Sequence, residues 1–469
     1  MHHNKDHEGR ESVAEWITPL LTDHYQITMS YAYWKNNRHN EEAVFEAFFR
    51  KNPFKGKFTI FGGIEEVIKF VRNFKFKPEH IDYLRTQLTA PNEYFEWLAS
   101  LDCSKVKLYG VRDGKLVFPR EPLVRLEGPL PVIQLLETPI LNLINFASLM
   151  TTNGARMKWT AGEHIKCIEF GLRRAQGPNG AMTASKYSFL GGFDSTSNVE
   201  AGFKFGIPIV GTHAHSFVMS YETEKDLGDN RYLDGVDLLE KALEYRTKLG
   251  WTQTQMSELY AFVAYACSFP TKFVALVDSY STLNSGVKNF TAVYLALHDL
   301  GYKGEDQVNT KYGVRLDSGD LRVLAHESKL IFKEAGEKFG KDLSHIKVFA
   351  SNDINEPLLK QLNKEGHEID VFGIGTNLVT CQAQPALGMV YKLVEINGMP
   401  KIKLSDEKEK NTLPGEKQII RTYDDNGKPI ADILCLIDEA QSLIEKLTTG
   451  KHTLKVFVPF ADPVKSIDI

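Results

Sequence analysis

The sequence predicts an α/β protein: an irregular β/α barrel in the middle of the chain, with a mixed α+β domain built from both chain ends. Three observations point to this. From about residue 150, short apolar stretches recur, each closing in polar or glycine-rich residues and most followed by a helix-like stretch. Before residue 150, helical and strand-like segments mix, with turns that suit antiparallel pairing. After residue 389 that mixed texture returns. The boundaries expected are a disordered, histidine-rich lead-in over 1–12, a first domain over 13–148, the barrel over 149–388, and a C-terminal segment over 389–469 that rejoins the first domain.

The elements follow in chain order. Residues 15–37 read as a helix, with Thr22 or Asp23 able to cap it. Residues 43–49 (AVFEAFF) alternate loosely, as a strand does. Asn52–Gly56 is a turn, and a short strand near 58–61 leads through Gly62-Gly63 into a helix. Short strands over 106–126 are separated by Asp113-Gly114, a hairpin signature. Residues 131–150 are apolar but interrupted by Gln134, Glu137, Pro139, Asn142 and Asn145, so they read as a buried helix and not a membrane span. The barrel strands expected are 165–170, 207–210, 273–277, 313–316, 346–350 and 369–372. Asn397-Gly398 marks a late hairpin, and 403–417 is charged and expected to be exposed.

Composition excludes several classes. Of 469 residues, 56 Lys+Arg against 60 Asp+Glu give a net charge of −4, so no global basic field for nucleic acid exists. The five cysteines are scattered, with no CxxC, which suits a reducing, cytoplasmic location rather than a disulfide framework. The polar start MHHNKDHEGRES has no apolar core of a secretory signal.

Barrel enzymes carry their chemistry at the carboxyl ends of the strands, and the polar residues of this chain collect there. In GVRLDSGDL, Arg315 and Asp317 are two apart and share a face of a strand. They are either a buried ion pair or a ligand-binding pair; Asp320 suits a helix cap. ASNDIN, with Ser351 and Asn352, and FGIGTN, with Gly373, Gly375 and Thr376, look like successive phosphate cradles at helix starts. Arg173 and Arg174 in EFGLRRAQGPNG are guanidinium forks suited to phosphate, although one of the two is better read as a solvated turn residue. Asp278 could hold Mg²⁺ through water, bind a ribose hydroxyl, or cap a helix from Ser279 onward. In GTHAHSF, His213 and His215 would share a face if the segment is a strand. As a metal pair they would need further ligands, which the later strand ends do not supply in imidazole form. His213 is read as a structural histidine, and His215 as a nucleophile able to carry a phosphoryl group.

LTDHYQITM, EFGLRRAQGPNG, GTHAHSF, LVDSYST, GVRLDSGDL, ASNDI and GIGTNLVTC, in that order over residues 21–381, resemble nicotinate phosphoribosyltransferase, and ALGMVYKLV at 386–394 extends the match. The resemblance implies a type II phosphoribosyltransferase fold, an α/β sandwich from both chain ends plus an irregular barrel. It implies conversion of nicotinate and phosphoribosyl pyrophosphate to nicotinate mononucleotide and pyrophosphate, with Mg²⁺ and coupled ATP hydrolysis, in a homodimer with shared active sites. It assigns the phosphorylated histidine to His215, nicotinate contacts to Tyr25, Thr212 and Arg315, and phosphoribosyl contacts to a set including Thr376. Position 213 is expected to be apolar in most relatives; here it is histidine. Three rivals are a nicotinamide-specific transferase, a metal-dependent hydrolase built on His213 and His215, and a non-catalytic relative.

Overall fold

A computed structural model describes residues 16–303, 312–404, 406–407, 410–449 and 455–457; the lead-in expected over 1–12 lies outside the described residues. Chain contacts divide the protein into two compact units. One takes the described residues up to Asn153, Met182–Gly191 and those from Cys381 onward; the other takes Gly154–Ala181 and Gly192–Thr380.

The first unit joins both chain ends by strand pairing. Its main sheet is antiparallel and five-stranded, in the order Met399–Pro400, Met389–Ile396, Glu42–Phe49, Val124–Pro129, Lys107–Gly110. Glu42–Phe49 is central and buried along most of its length, so its sequence alternates only loosely. The late strand lies against it, Ala43 opposite Ile396 and Phe49 opposite Met389. Phe45 stacks on Tyr391 at 4.8 Å, and the Tyr391 hydroxyl donates to the Ile133 carbonyl at 2.8 Å. The apolar stretch expected as one buried helix is two, Leu130–Leu135 and Glu137–Ala161.

Three expectations are corrected here. The first helix spans only His24–Lys35, because Asp23 takes the N-cap position and Gln26 Oε1 accepts the Asp23 amide at 3.2 Å. Asp113-Gly114 does turn the chain, but the flanking strands do not pair with each other. Lys107–Gly110 pairs with Val124–Pro129, and Leu116–Val117 with Thr59–Ile60. Asp113 accepts instead from the Ile64 amide at 2.9 Å, at the start of the helix Ile64–Arg72. Finally, the charged stretch 403–417 does not stay exposed throughout. Lys417 is buried, its ammonium 3.1 Å from buried Glu46 and bonded to the Leu413 and Gly415 carbonyls. That partner lies 371 residues away in sequence.

The second unit is the barrel. Its strands are β1 (Lys166–Glu169), β2 (Ser195–Thr196), β3 (Val274–Leu276), β4 (Gly313–Leu316), β5 (Lys347–Ala350) and β6 (Val371–Ile374). All pairings are parallel, in the order β3-β4-β5-β6-β1-β2. Residues 207–210, expected as a full strand, contribute only a parallel bridge from Ile209 to Thr196 in β2. The two-residue β2 was not expected at all. Helices Leu238–Lys248, Met256–Ser268, Val287–Asp299, Leu321–Phe339 and Glu356–Glu365 flank the strands. Asp320 caps the fourth of these, its Oδ1 accepting from the Arg322 and Val323 amides at 3.1 Å.

Candidate active site

The carboxyl ends of the barrel strands bring together most of the expected residues. Arg315 and Asp317 leave β4 on one face, and Arg315 Nη2 lies 3.2 Å from Asp317 Oδ1. Ser351, just past β5, links them: its hydroxyl accepts from Arg315 Nε at 2.8 Å and donates to Asp317 Oδ1 at 2.5 Å. The guanidinium lies over the Phe170 ring at 5.2 Å. The ion pair is therefore real but incomplete. Arg315 Nη1 and Asp317 Oδ2 have no partner among the described residues, and both residues line a cavity of about 590 Å³.

The two histidines of GTHAHSF take different roles. His215 begins the short helix His215–Met219 and its side chain is 42% exposed. Its Nε2 lies 3.0 Å from Asp278 Oδ1, and the Ser318 hydroxyl donates to Asp278 Oδ2 at 2.6 Å. Of the two neutral tautomers, a carboxylate on Nε2 selects the one with the proton there, and Nδ1 has no partner among the described residues. His213 is 8% exposed, and its Nε2 accepts the Leu276 amide of β3 at 3.3 Å. Burial pushes its pKa down to about 4, so it is neutral. With each Nε2 engaged by a protein group, the pair does not form a ready metal chelate.

The remaining expected residues distribute as follows. Arg173 lines the cavity, exposed in the short turn Leu172–Arg174; Arg174 is exposed and outside the lining. That turn is tethered by buried Glu169, whose Oε1 accepts the Gly171 amide and whose Oε2 accepts the Thr196 hydroxyl at 2.6 Å. Thr212 lines the cavity beside His213. Gly373 is explained by packing, because a Cβ there would meet Phe170 at 2.4 Å, and Phe170 is the ring beneath Arg315. A Cβ at Gly375 would in the same way meet the Phe170 carbonyl oxygen, at 3.2 Å.

Thr376 opens a helix of only four residues, so little dipole stands behind it. Asn352 does not start a helix either: the next one begins at Glu356, with Asn355 as its cap accepting the Leu358 amide at 2.9 Å. Asp278 is not a helix cap, since both its oxygens face side chains. Tyr25 belongs to the first unit, where its ring is 45% exposed. Ser318 and Phe170 were not anticipated. Ser318 stood inside the DSGD stretch with nothing in its residue type to mark it. Phe170 preceded the arginines and read as the end of a strand.

Family models and relatives agree on what this arrangement belongs to. Residues 20–145 match the nicotinate phosphoribosyltransferase (NAPRTase) N-terminal domain, and residues 290–435 match the nicotinate phosphoribosyltransferase (NAPRTase) family. The chain is 53% identical over 439 residues to nicotinate phosphoribosyltransferase of Dictyostelium discoideum, covering 92% of this chain and 73% of that one. It is 44% identical over 436 residues to the Homo sapiens enzyme of that name, covering 90% and 80%. The crystal structure of human nicotinic acid phosphoribosyltransferase superposes with a TM-score of 0.78 at 41% identity, over 89% of this chain and 82% of that one. Nicotinate-nucleotide pyrophosphorylase from Pyrococcus furiosus shares the fold, with a TM-score of 0.60 at 19% identity over 94% and 87%. His215, Asp278 and Arg173 fall between the two matched family models but inside the span shared with the relatives. The chain belongs to the nicotinate phosphoribosyltransferase family.

Proposed function

We propose that this protein transfers the phosphoribosyl group of phosphoribosyl pyrophosphate to nicotinate, coupled to ATP hydrolysis through a phosphohistidine at His215. The observation that carries the reading is the convergence of two incompletely paired groups, Arg315 and His215, on one cavity with Arg173. The free Nη1 of Arg315 can take a carboxylate, and a planar guanidinium suits that shape. Nicotinate carries such a carboxylate and nicotinamide does not, which favours the acid over the amide. Thr212 at the cavity wall offers a second polar contact, and Tyr25 is the expected stacking ring for the pyridine.

In the transfer, the pyridine nitrogen attacks C1 of the ribose. The C1–O bond to pyrophosphate breaks, and its electron pair leaves with the pyrophosphate. No general base is needed, because the nitrogen lone pair is already free. Positive charge grows on the sugar while negative charge grows on the leaving group, and Arg173 is suited to the latter. Ser351 and Asp317 hold Arg315 in register, so that substrate binding does not have to order it. Asn352, Gly373, Gly375 and Thr376 remain the proposed phosphate-side residues, acting through loop amides rather than a long helix. Arg174 is the weaker of the two arginine candidates.

The residues present fit Mg²⁺, which would come with pyrophosphate and be held by Asp317 through water. Asp317 Oδ2 is the free carboxylate oxygen on the cavity, whereas both oxygens of Asp278 already have partners. When bound, the ion would neutralise charge on the phosphates. In the coupling step, Nδ1 of His215 attacks the γ-phosphorus of ATP and ADP leaves. Asp278 holds Nε2–H and stabilises the charged ring that results, and Ser318 holds Asp278. The phosphoryl group adds about two negative charges at the cavity, which would draw the Arg173 guanidinium toward His215.

The homodimer with shared sites is part of the same proposal. Leu172, Val199 and Ile209 are exposed apolar residues on the cavity rim, a surface suited to a second copy. Sedimentation is expected to give the mass of two chains. A cytoplasmic location is proposed as well, consistent with five unpaired cysteines; no described helix is long and apolar enough to cross a membrane. The test is mononucleotide formation from nicotinate, phosphoribosyl pyrophosphate and Mg²⁺, with and without ATP. Wild type should be stimulated by ATP. His215→Ala should retain slow turnover that ATP no longer changes, and persisting stimulation would remove the phosphohistidine from the scheme.

A further inference from the structure

The barrel ladder has one seam. Parallel pairing runs from β3 through β4, β5, β6 and β1 to β2, and then to the bridge at Ile209. The Thr196 amide and carbonyl, bonded to Pro208 and Val210 at 3.0 Å, are the last rungs. Among the described residues no backbone hydrogen bond joins 209–215 to β3. Two imidazoles cross instead. His213 Nε2 accepts the Leu276 amide at 3.3 Å, and His215 Nε2 meets Asp278 Oδ1 at 3.0 Å. Both pairs are 63 residues apart in sequence. The segment therefore keeps the register of a neighbouring strand, with residues two apart on the same side, although side chains make the rungs.

His213 is built to stay in that position. Its ring is flanked by Tyr265 at 4.8 Å, Phe217 at 5.4 Å and Phe262 at 6.0 Å. Leu276 pairs with Arg315 on the other edge of β3, so on this edge its amide depends on the imidazole. A leucine or methionine could fill the aromatic surround but would leave that buried N–H unpaired. Because burial keeps the ring neutral, one ring nitrogen remains an acceptor at neutral pH, and the Leu276 amide gives that role to Nε2.

We propose that His213 is a positioning residue: its imidazole stands in for a missing strand partner and, by fixing residues 209–215 to β3, holds His215 within reach of Asp278. The proposal rests on the phosphohistidine reading of His215. It assigns a role in the coupling reaction to a side chain that need touch neither ATP nor the transferred phosphoryl group.

The experiment compares wild type with His213→Leu and His213→Gln in the full chain. Glutamine can present an acceptor at similar reach; leucine cannot. Two quantities are read: the initial rate of acid-labile labelling from [γ-³²P]ATP with Mg²⁺, and hydrogen exchange of the peptide covering Val274–Asp278. His213→Leu should label slower by about tenfold or more, since small displacements of a reacting group are costly, and should lose amide protection. His213→Gln should recover both. If His213→Leu does not fold, His213→Asn, whose amide is one bond shorter, takes its place with the same expected loss. Labelling of the leucine or asparagine variant at the wild-type rate would overturn the role of His213. So would a glutamine variant as slow as the leucine one. Absence of label in wild type would instead overturn the phosphohistidine reading itself.

Discussion

The two ends of the barrel make opposite use of the same kinds of residue. At the amino-terminal ends of the strands, Asp370 accepts from Lys329 and Lys347, each at 3.0 Å, and from the Val348 amide at 2.8 Å. A cavity of about 840 Å³ opens there, lined by Lys329, Lys333, Lys341, Glu368 and Asp370. At the carboxyl-terminal ends the cavity is smaller, about 590 Å³, yet Arg315, Asp317 and His215 each keep one hydrogen-bonding atom without a partner among the described residues. The proposed site is the smaller cavity, because it rests on open valence and not on size. Saturated ion pairs hold elements together, whereas incompletely paired groups held by neighbours are ready for a ligand.

The largest effect that could break this comparison is at Arg315. Arg315→Gln should lower kcat/KM for nicotinate by about a hundredfold or more, as expected for losing a charged hydrogen-bond partner of a carboxylate. The loss should be much smaller for nicotinamide if any turnover of it exists. Steady-state kinetics with both pyridines decides this. Equal losses would mean that Arg315 is only a packing residue.

Asp370→Asn should act the other way. It should cost stability, about 1–3 kcal/mol, while leaving kcat/KM for nicotinate near the wild-type value. The sign with pH follows from the carboxyl's surroundings. Burial alone would raise the Asp370 pKa, but the Val348 amide and Lys329 outweigh it and hold the pKa below the ordinary 3.8. A depressed pKa contributes stability that is present above 3.8 and lost as pH falls through the lower folded value. The gap in denaturation midpoint between wild type and Asp370→Asn should therefore be widest near neutrality and narrow in strong acid. A kinetic defect in this variant without a stability defect would reverse the assignment of the two ends.

Much of the site was legible in the sequence, for a physical reason. Period-two spacing at a strand end places side chains on one face, so Arg315 with Asp317 could be paired before any coordinates; His213 and His215, read on a strand, lie instead in a loop and at a helix start, although both reach toward the β3 chain. The split between the two histidines also followed from their neighbours. What stayed hidden was partner choice. Asp113-Gly114 specifies a turn, but whether the flanking strands pair with each other depends on competing strands elsewhere in the chain. Residues 207–210 have an apolar strand pattern, yet only one bridge forms. Ser195–Thr196, short and polar, forms a strand because β1 and the Ile209 segment lie on either side. Lys417 looked like surface charge because Glu46 is hundreds of residues away. The glycines of FGIGTN suggested a phosphate cradle, while at Gly373 the immediate constraint is the Phe170 ring supporting Arg315.

The most direct test is a structure with nicotinate bound. A carboxylate oxygen of nicotinate should lie about 2.7–3.2 Å from Nη1 of Arg315, with the ring in the smaller cavity. Nicotinate found instead among Lys329, Lys333 and Lys341 at the opposite strand ends, with Arg315 still bonded only to Ser351 and Asp317, would contradict the assignment of the working end of this barrel.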